Sequence, residues 1–277
     1  MHSGKIKNAL IYAVLVIFAA AFIFPLIIVL LNSFKIKFSI SETPFLLPSA
    51  TTFAGIENYI SGITDTGFLS AFMYSVIVTV FSVAFLVIFT SMAAWYIVRV
   101  KTVFTKCFYA LLLLSMIVPF QMVMFTMSKT ANVLRLDNIA GITVLYLGFG
   151  AGLSVFLFSG FIKSIPIAVE EAATIDGCNP LNMFFLVIFP MLKPISFTVA
   201  ILNTMWIWND YLLPYLIIGS DYKTIPIAVQ YLKGGYGSID MGSMMAVLVL
   251  AVIPVIVFYV TCQKYIIKGV AAGAVKG

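Results

Sequence analysis

Charged residues are absent from five long stretches of this 277-residue chain, and no other feature constrains its fold as strongly. Lys7 to Lys35 encloses 27 uncharged residues, Asp65 to Arg99 encloses 33, Lys106 to Lys129 encloses 22, Asp137 to Lys163 encloses 25 and Asp240 to Lys264 encloses 23. A helix that crosses the hydrocarbon core of a bilayer needs about 20 apolar residues, so each gap holds one. A sixth apolar stretch, 195–218, is interrupted only by Asp210. The spacing predicts spans over 9–31, 69–97, 107–128, 142–161, 196–218 and 243–263, forming one transmembrane domain over 1–277. Membrane strands would alternate apolar and polar residues, and the run Leu111, Leu112, Leu113, Leu114 does not. The fold class expected is all-α and polytopic. With 9% charged and 62% hydrophobic residues, against about 25% charged in soluble domains, a water-soluble or disordered chain is excluded.

Orientation follows from where the bases lie. With the N-terminus in the cytoplasm, the inner segments carry ten Lys and Arg but only three acids (Glu170, Glu171, Asp176), while the outer segments carry six of each sign. Positive charge gathers on the cytoplasmic side, so both termini are expected inside. The net charge of +6 is then a topology signal, and no nucleic-acid partner is needed to explain it. Lys5 and Lys7 precede an apolar run in the manner of a signal peptide. The run is too long for one and no small-residue cleavage site follows, so it is read as an uncleaved first helix. The chain contains no G-x-x-x-x-G-K-[ST] loop, and its one histidine is His2. ATP binding in that mode, enzymatic activity and a metal site are not expected. Cys107, Cys178 and Cys262 are too few and too widely spaced for a disulfide framework.

The loop 163–194 is the most informative segment. Ser164 and Pro166 suit a helix start. Gly177 suits the left-handed residue after a helix end. Asn179 followed by Pro180 reads as the N-cap and first residue of a second short helix, which Pro190 and Pro194 delimit. Ala172 and Ala173 leave one face of the first helix without bulk, which permits close approach of another surface. A helix pair lying on the bilayer is the alternative, but such helices carry Lys and Arg on their polar face, and this one carries Glu170, Glu171 and Asp176. The long first outer loop, 32–67, with Pro44, Pro48 and several glycines, is expected to fold back as an amphipathic segment or to act as a plain tether.

Glu171-Ala172-Ala173, Gly177 and Pro190 together resemble the EAA loop of importer-type ABC transporter permeases. Val187 and Phe189 stand where the family favours Ile and Leu, and Cys178 where it has a small residue. The resemblance continues through Trp208-Asn209-Asp210, Thr224-Ile225-Pro226 and the tail Lys268–Gly277, which together look like the carbohydrate-uptake, MalG-like branch. The resemblance implies that Glu170, Glu171, Ala172, Ala173, Asp176, Gly177 and Pro190 form a coupling loop for an ATPase. It also implies that Gly273, Val275, Lys276 and Gly277 of the tail contact that ATPase. The implied partners are a second permease, two ATP-binding subunits that hold ATP and magnesium, and an extracytoplasmic sugar-binding protein. This chain itself would bind no cofactor and would reside in a bacterial or archaeal cytoplasmic membrane.

Candidate substrate-path residues are the polar and aromatic groups at membrane depth. Asp210 is costly there and must face a cavity, a partner or a helix end. Asn209 both donates and accepts, as sugar hydroxyls require, and Trp206 and Trp208 offer ring faces, or else belong to the interfacial aromatic belt. Gln121 follows Pro119, which is expected to kink the third span. It suits either a path or a helix–helix contact. The function read from the sequence is the permease subunit of an ATP-driven sugar importer. The alternatives are an ion-coupled secondary carrier and a membrane scaffold without transport.

Overall fold

The computed structural model describes residues 2–219, 221–231 and 240–274. The described residues fold into helices: α1 (His2–Asn32), α2 (Lys37–Glu42), α3 (Glu57–Thr66), α4 (Phe68–Arg99), α5 (Val103–Ile117), α6 (Phe120–Val133), α7 (Ile139–Ile162), α8 (Ala168–Ile175), α9 (Pro180–Asn182), a π-helical turn (Met183–Ile188), α10 (Phe189–Met191), α11 (Lys193–Asn209), α12 (Leu212–Ile217), α13 (Ile225–Tyr231) and α14 (Met241–Ala274). Four of them, α1, α4, α7 and α14, are long and apolar enough to cross a membrane singly, and two bent pairs bring the number to as many as six.

The bent pairs are where the structure departs from six straight spans. The expected helix 107–128 is two helices, α5 and α6, meeting at 110°. Val118 and Pro119 are both extended at the break, because proline disfavours the helical region for the residue before it and has no N–H to continue the ladder. The expected span 196–218 likewise ends at Asn209. Asp210 is extended, and helix resumes only at Leu212. Upstream, α9 to α10 meet α11 at 79°.

The chain divides into two compact units, Met1–Ser70 with Ala228–Val255, and Ala71–Ile227 with Ile256–Gly277. In the first, the outer loop is a folded piece. Asn58 Nδ2 donates to the Ser33 and Lys35 carbonyls at 2.9 and 2.8 Å, the Ser33 and Tyr59 hydroxyls lie 2.7 Å apart, Lys35 and Phe53 form a short antiparallel bridge, and the rings of Phe34 and Phe53 stack at 6.3 Å. The Lys35 side chain is fully buried and donates to the Thr43 carbonyl at 2.6 Å. Asp240 caps α14 through the Ser243 N–H, and α14 packs on α3, where a Cβ at Gly62 would lie 2.8 Å from Val247. The large apolar side chains of α1 between Leu10 and Ile27 are exposed, Phe22 by 78%, as befits a helix whose solvent is lipid.

In the second unit α5 and α11 pack on α7. The approach of α5 is close enough that a Cβ at Gly152 would lie 2.5 Å from the Leu112 carbonyl oxygen and 2.7 Å from Met116. Two apolar cores result. One gathers Ala94, Phe158, Ile162, Ala173, Phe184 and Leu192 beneath α8 and the π-helical turn. The other gathers Val78, Leu86, Ile142, Tyr146, Ile207 and Leu213 around the break at Asp210. Helix α11 runs from the first core to the second, and its 17 residues span about 25 Å.

Candidate functional site

The loop 163–194 folds as helix, glycine turn, helix. Gly177 has φ +82°, its N–H donates to the Thr174 carbonyl, and the Cys178 N–H donates to the Ala173 carbonyl at 3.0 Å. That pair of bonds is a Schellman motif, and it requires the left-handed conformation glycine adopts freely. Asn179 Oδ1 then accepts from the Asn182 N–H at 2.8 Å, with Pro180 at the first helical position. The corner leaves Glu171, Ala172, Asp176, Gly177 and Pro190 exposed, and it buries Ala173 and Glu170.

Glu170 and Glu171 therefore part company. Glu170 accepts from Arg99 Nε at 2.7 Å and from Trp95 Nε1 at 3.1 Å, and Arg99 Nη2 donates to the Ile165 carbonyl at 3.0 Å. Arg99 and Trp95 sit at the end of α4, so this clamp fastens α8 to it. Sequence reasoning missed both residues. The one signal for Arg99 was its place at a span boundary.

At the other end of α11 lies a cavity of about 440 Å³, lined by residues that include Ser115, Phe149, Asn203, Trp206, Asp210 and Gln121. It opens where α5–α6 and α11–α12 are both broken. Irregular backbone at membrane depth is tolerated where it lines such a cavity or is buried in protein. Asp210 Oδ2 accepts from the Tyr146 hydroxyl at 3.0 Å, and Oδ1 accepts from the Leu212 N–H at 3.0 Å, capping α12. Tyr146 is fully buried and meets Trp206 edge-on at 5.4 Å. Of the five candidate path residues, Gln121, Trp206 and Asp210 converge here. Trp208 packs edge-on against Phe72, and Asn209 donates to the Met205 carbonyl of its own helix; neither lines the cavity. Asn203, unremarked in the sequence, does. Its spacing carried the signal: positions 203, 206 and 210 recur at helical intervals of three and four.

The Ile225 N–H that opens α13 donates to Ser75 Oγ at 2.9 Å, fixing the Thr224-Ile225-Pro226 segment. Gly273 lies in the last turn of α14, and Val275, Lys276 and Gly277 fall outside the described residues.

The chain is similar to known proteins in sequence and in fold. Residues 86–272 match the family described as binding-protein-dependent transport system inner membrane component. The chain is 34% identical, over the whole length of both proteins, to the probable starch degradation products transport system permease AmyC of Thermoanaerobacterium thermosulfurigenes. It is 33% identical over both full lengths to the melibiose/raffinose/stachyose import permease MelC of Bacillus subtilis. It is 35% identical over 96% of each chain to the multiple sugar-binding transport system permease MsmG of Streptococcus mutans. The fold matches a chain of a bacterial ABC transporter involved in import of the acidic polysaccharide alginate, with a TM-score of 0.81, 24% identity and coverage of 96% and 98%. Apolar spans, broken helices around a cavity, an exposed Gly-turn corner and a family match over residues 86–272 lead to one conclusion: the chain belongs to the inner membrane components of binding-protein-dependent transport systems and is a multi-pass permease of the cytoplasmic membrane.

Proposed function

We propose that this chain is one of two homologous permease subunits in an ATP-driven importer that moves an oligosaccharide into the cell by alternating access. The observation that carries the reading is the course of α11. One helix leaves the core beneath the exposed corner at Lys193 and ends at the cavity beside Asp210. Displacing the corner therefore displaces a wall of the cavity, as a rigid-body switch requires. In this reading Glu171, Ala172, Asp176, Gly177 and Pro190 meet an ATPase subunit that binds ATP and magnesium, while Glu170 and Ala173 hold the corner to the membrane helices. Gly273 with Val275, Lys276 and Gly277 adds a second contact with the same partner. Gln121, Trp206 and Asp210 line the substrate path, and an extracytoplasmic binding protein delivers the sugar. Both termini lie in the cytoplasm, as the excess of Lys and Arg on that side favours.

Relatives named for starch degradation products, melibiose, raffinose and stachyose support a saccharide cargo. The experiment is reconstitution with the co-expressed partner subunits in proteoliposomes, measuring uptake of radiolabelled di- and trisaccharides. Uptake is expected to require ATP on the corner's side and to be lost in Glu171→Ala and Gly177→Pro. Uptake by this chain alone, driven by a proton or sodium gradient, would refute the reading.

A further inference from the structure

The face that α11 and the residue after it turn to the cavity is chemically one-sided. Asn203, 3% exposed, directs its amide nitrogen into the protein, donating to Ser154 Oγ at 3.1 Å and to the Val199 carbonyl at 2.8 Å. A backbone carbonyl can only accept, so this pairing fixes which end of the amide is which. Asn203 thus offers the cavity only its Oδ1, which receives no hydrogen bond among the described residues. Gly150 faces that oxygen, and a Cβ there would lie 3.0 Å from it, so any side chain at 150 would crowd the acceptor. Asp210 also accepts only, with two donors already on its carboxylate. It is the one charged residue among those lining the cavity, which contain no Lys, Arg or His. Trp206, 40% exposed, and Phe149 add ring faces.

We propose that this cavity is a saccharide subsite supplied by this chain itself, which reads the hydroxyl protons of a neutral glycosyl unit through Asn203 Oδ1 and Asp210 and turns away uronic acid units. The proposal rests on the importer reading above. Each sugar hydroxyl carries one proton for an acceptor and lone pairs for a donor; Gln121, across the α5–α6 break, offers both roles. The rings of Trp206 and Phe149 suit the C–H faces of a pyranose. A uronate carboxylate brings no proton to Asn203, and its charge meets that of Asp210 away from bulk water, where repulsion is strong. Tyr146 is a positioning residue: its hydroxyl holds the carboxylate of Asp210 and its ring holds Trp206.

The test is direct binding to the detergent-purified permease–ATPase complex without its binding protein, so that the first selection step is absent. Radiolabelled raffinose, stachyose and maltotriose are the neutral probes, and trigalacturonate is the acidic competitor. The complex is expected to bind at least one neutral probe, and trigalacturonate is expected not to displace it. Trp206→Ala, at a position 40% exposed, and Asn203→Leu should each weaken binding about three- to tenfold. Asp210→Asn should let trigalacturonate compete at least tenfold better, and Tyr146→Phe should shift the same selectivity while leaving complex yield unchanged. Neutral-probe affinities within twofold of wild type in Trp206→Ala, or continued exclusion of trigalacturonate in Asp210→Asn, would overturn the subsite. So would a complex that transports a saccharide without binding it directly. A complex that transports no saccharide at all would instead remove the importer reading on which the subsite depends.

Discussion

Replacing Arg99 with alanine tests whether the corner is fastened to the membrane helices by one ion pair. Arg99 Nε and Glu170 Oε1 are 2.7 Å apart, with side chains 18% and 11% exposed. An exposed pair contributes at most about 1 kcal/mol. Removing one member of a buried pair costs about 3–5 kcal/mol, mostly because the remaining charge is stranded. The Trp95 N–H still donates to Glu170, so the lower figure applies, with about 1 kcal/mol more for the freed Ile165 carbonyl. At 1.4 kcal/mol per decade, the resulting total of about 4 kcal/mol shifts the docking equilibrium of α8 roughly 700-fold. Hydrogen exchange of the amides in 168–175 should therefore accelerate by about that factor in Arg99→Ala. ATP-driven uptake should fall while basal ATP hydrolysis continues, because the proposed function places the nucleotide sites in a partner subunit. The double variant Arg99→Ala/Glu170→Gln removes the stranded charge and should recover much of the protection, giving a coupling energy that a double-mutant cycle resolves. Exchange in 168–175 that stays within about threefold of wild type in Arg99→Ala, or a double variant as loose as the single one, would refute the clamp.

The other predictions are as follows. Gly177→Ala forces a Cβ into φ +82° with no neighbour within 4 Å, so its cost is backbone strain of about 1–2 kcal/mol; Gly177→Asn should retain more uptake than Gly177→Ala, and equal loss would count against strain as the cause. Gly152→Val drives a side chain into the Leu112 carbonyl and Met116 and should lower the melting temperature by several degrees, whereas Gly160→Ala, in the same helix with open space around it, should be neutral or gain about 0.5–1 kcal/mol; matching effects in thermal melts would mean the α5–α7 approach is not tight. Burial holds Lys35 below the ordinary lysine range, so over the interval between folded and unfolded values the unfolded chain binds more protons. Stability should then rise as alkaline pH climbs through that interval, and the full penalty should stand below it. Lys35→Met should abolish the rise in pH-dependent melts, and an unchanged slope would refute it.

The division between what was legible in the sequence and what was not follows the range of the interactions. Signals within a few residues read directly: the apolar gaps between charges, the break at Val118–Pro119, the cap at Asn179–Pro180 and the turn at Gly177 are all set by local backbone chemistry. The inward turn of Glu170 and the outward turn of Glu171 could not be read, because adjacent glutamates on a short amphipathic helix are told apart only by Arg99, 71 positions away. The π-helical turn 183–188 left no composition signal either; it buries its own Met183, Phe184 and Ile188 in the apolar core. At the cavity, helical register decides which residues form the wall. Trp208 and Asn209 adjoin Asp210 in sequence, but a helix advances about 100° per residue, so neighbours in the chain point apart and Trp206 and Asn203 share the face instead. Trp206, named from the sequence, lies on the wall with Asn203, whereas the adjacent Trp208 and Asn209 do not. The same geometry gives α11 its reach. Residues at one end lie under the corner and residues at the other line the cavity, so a polar position buried on its face, Asn203, is held by contacts to α7 that any movement of the helix must keep or break.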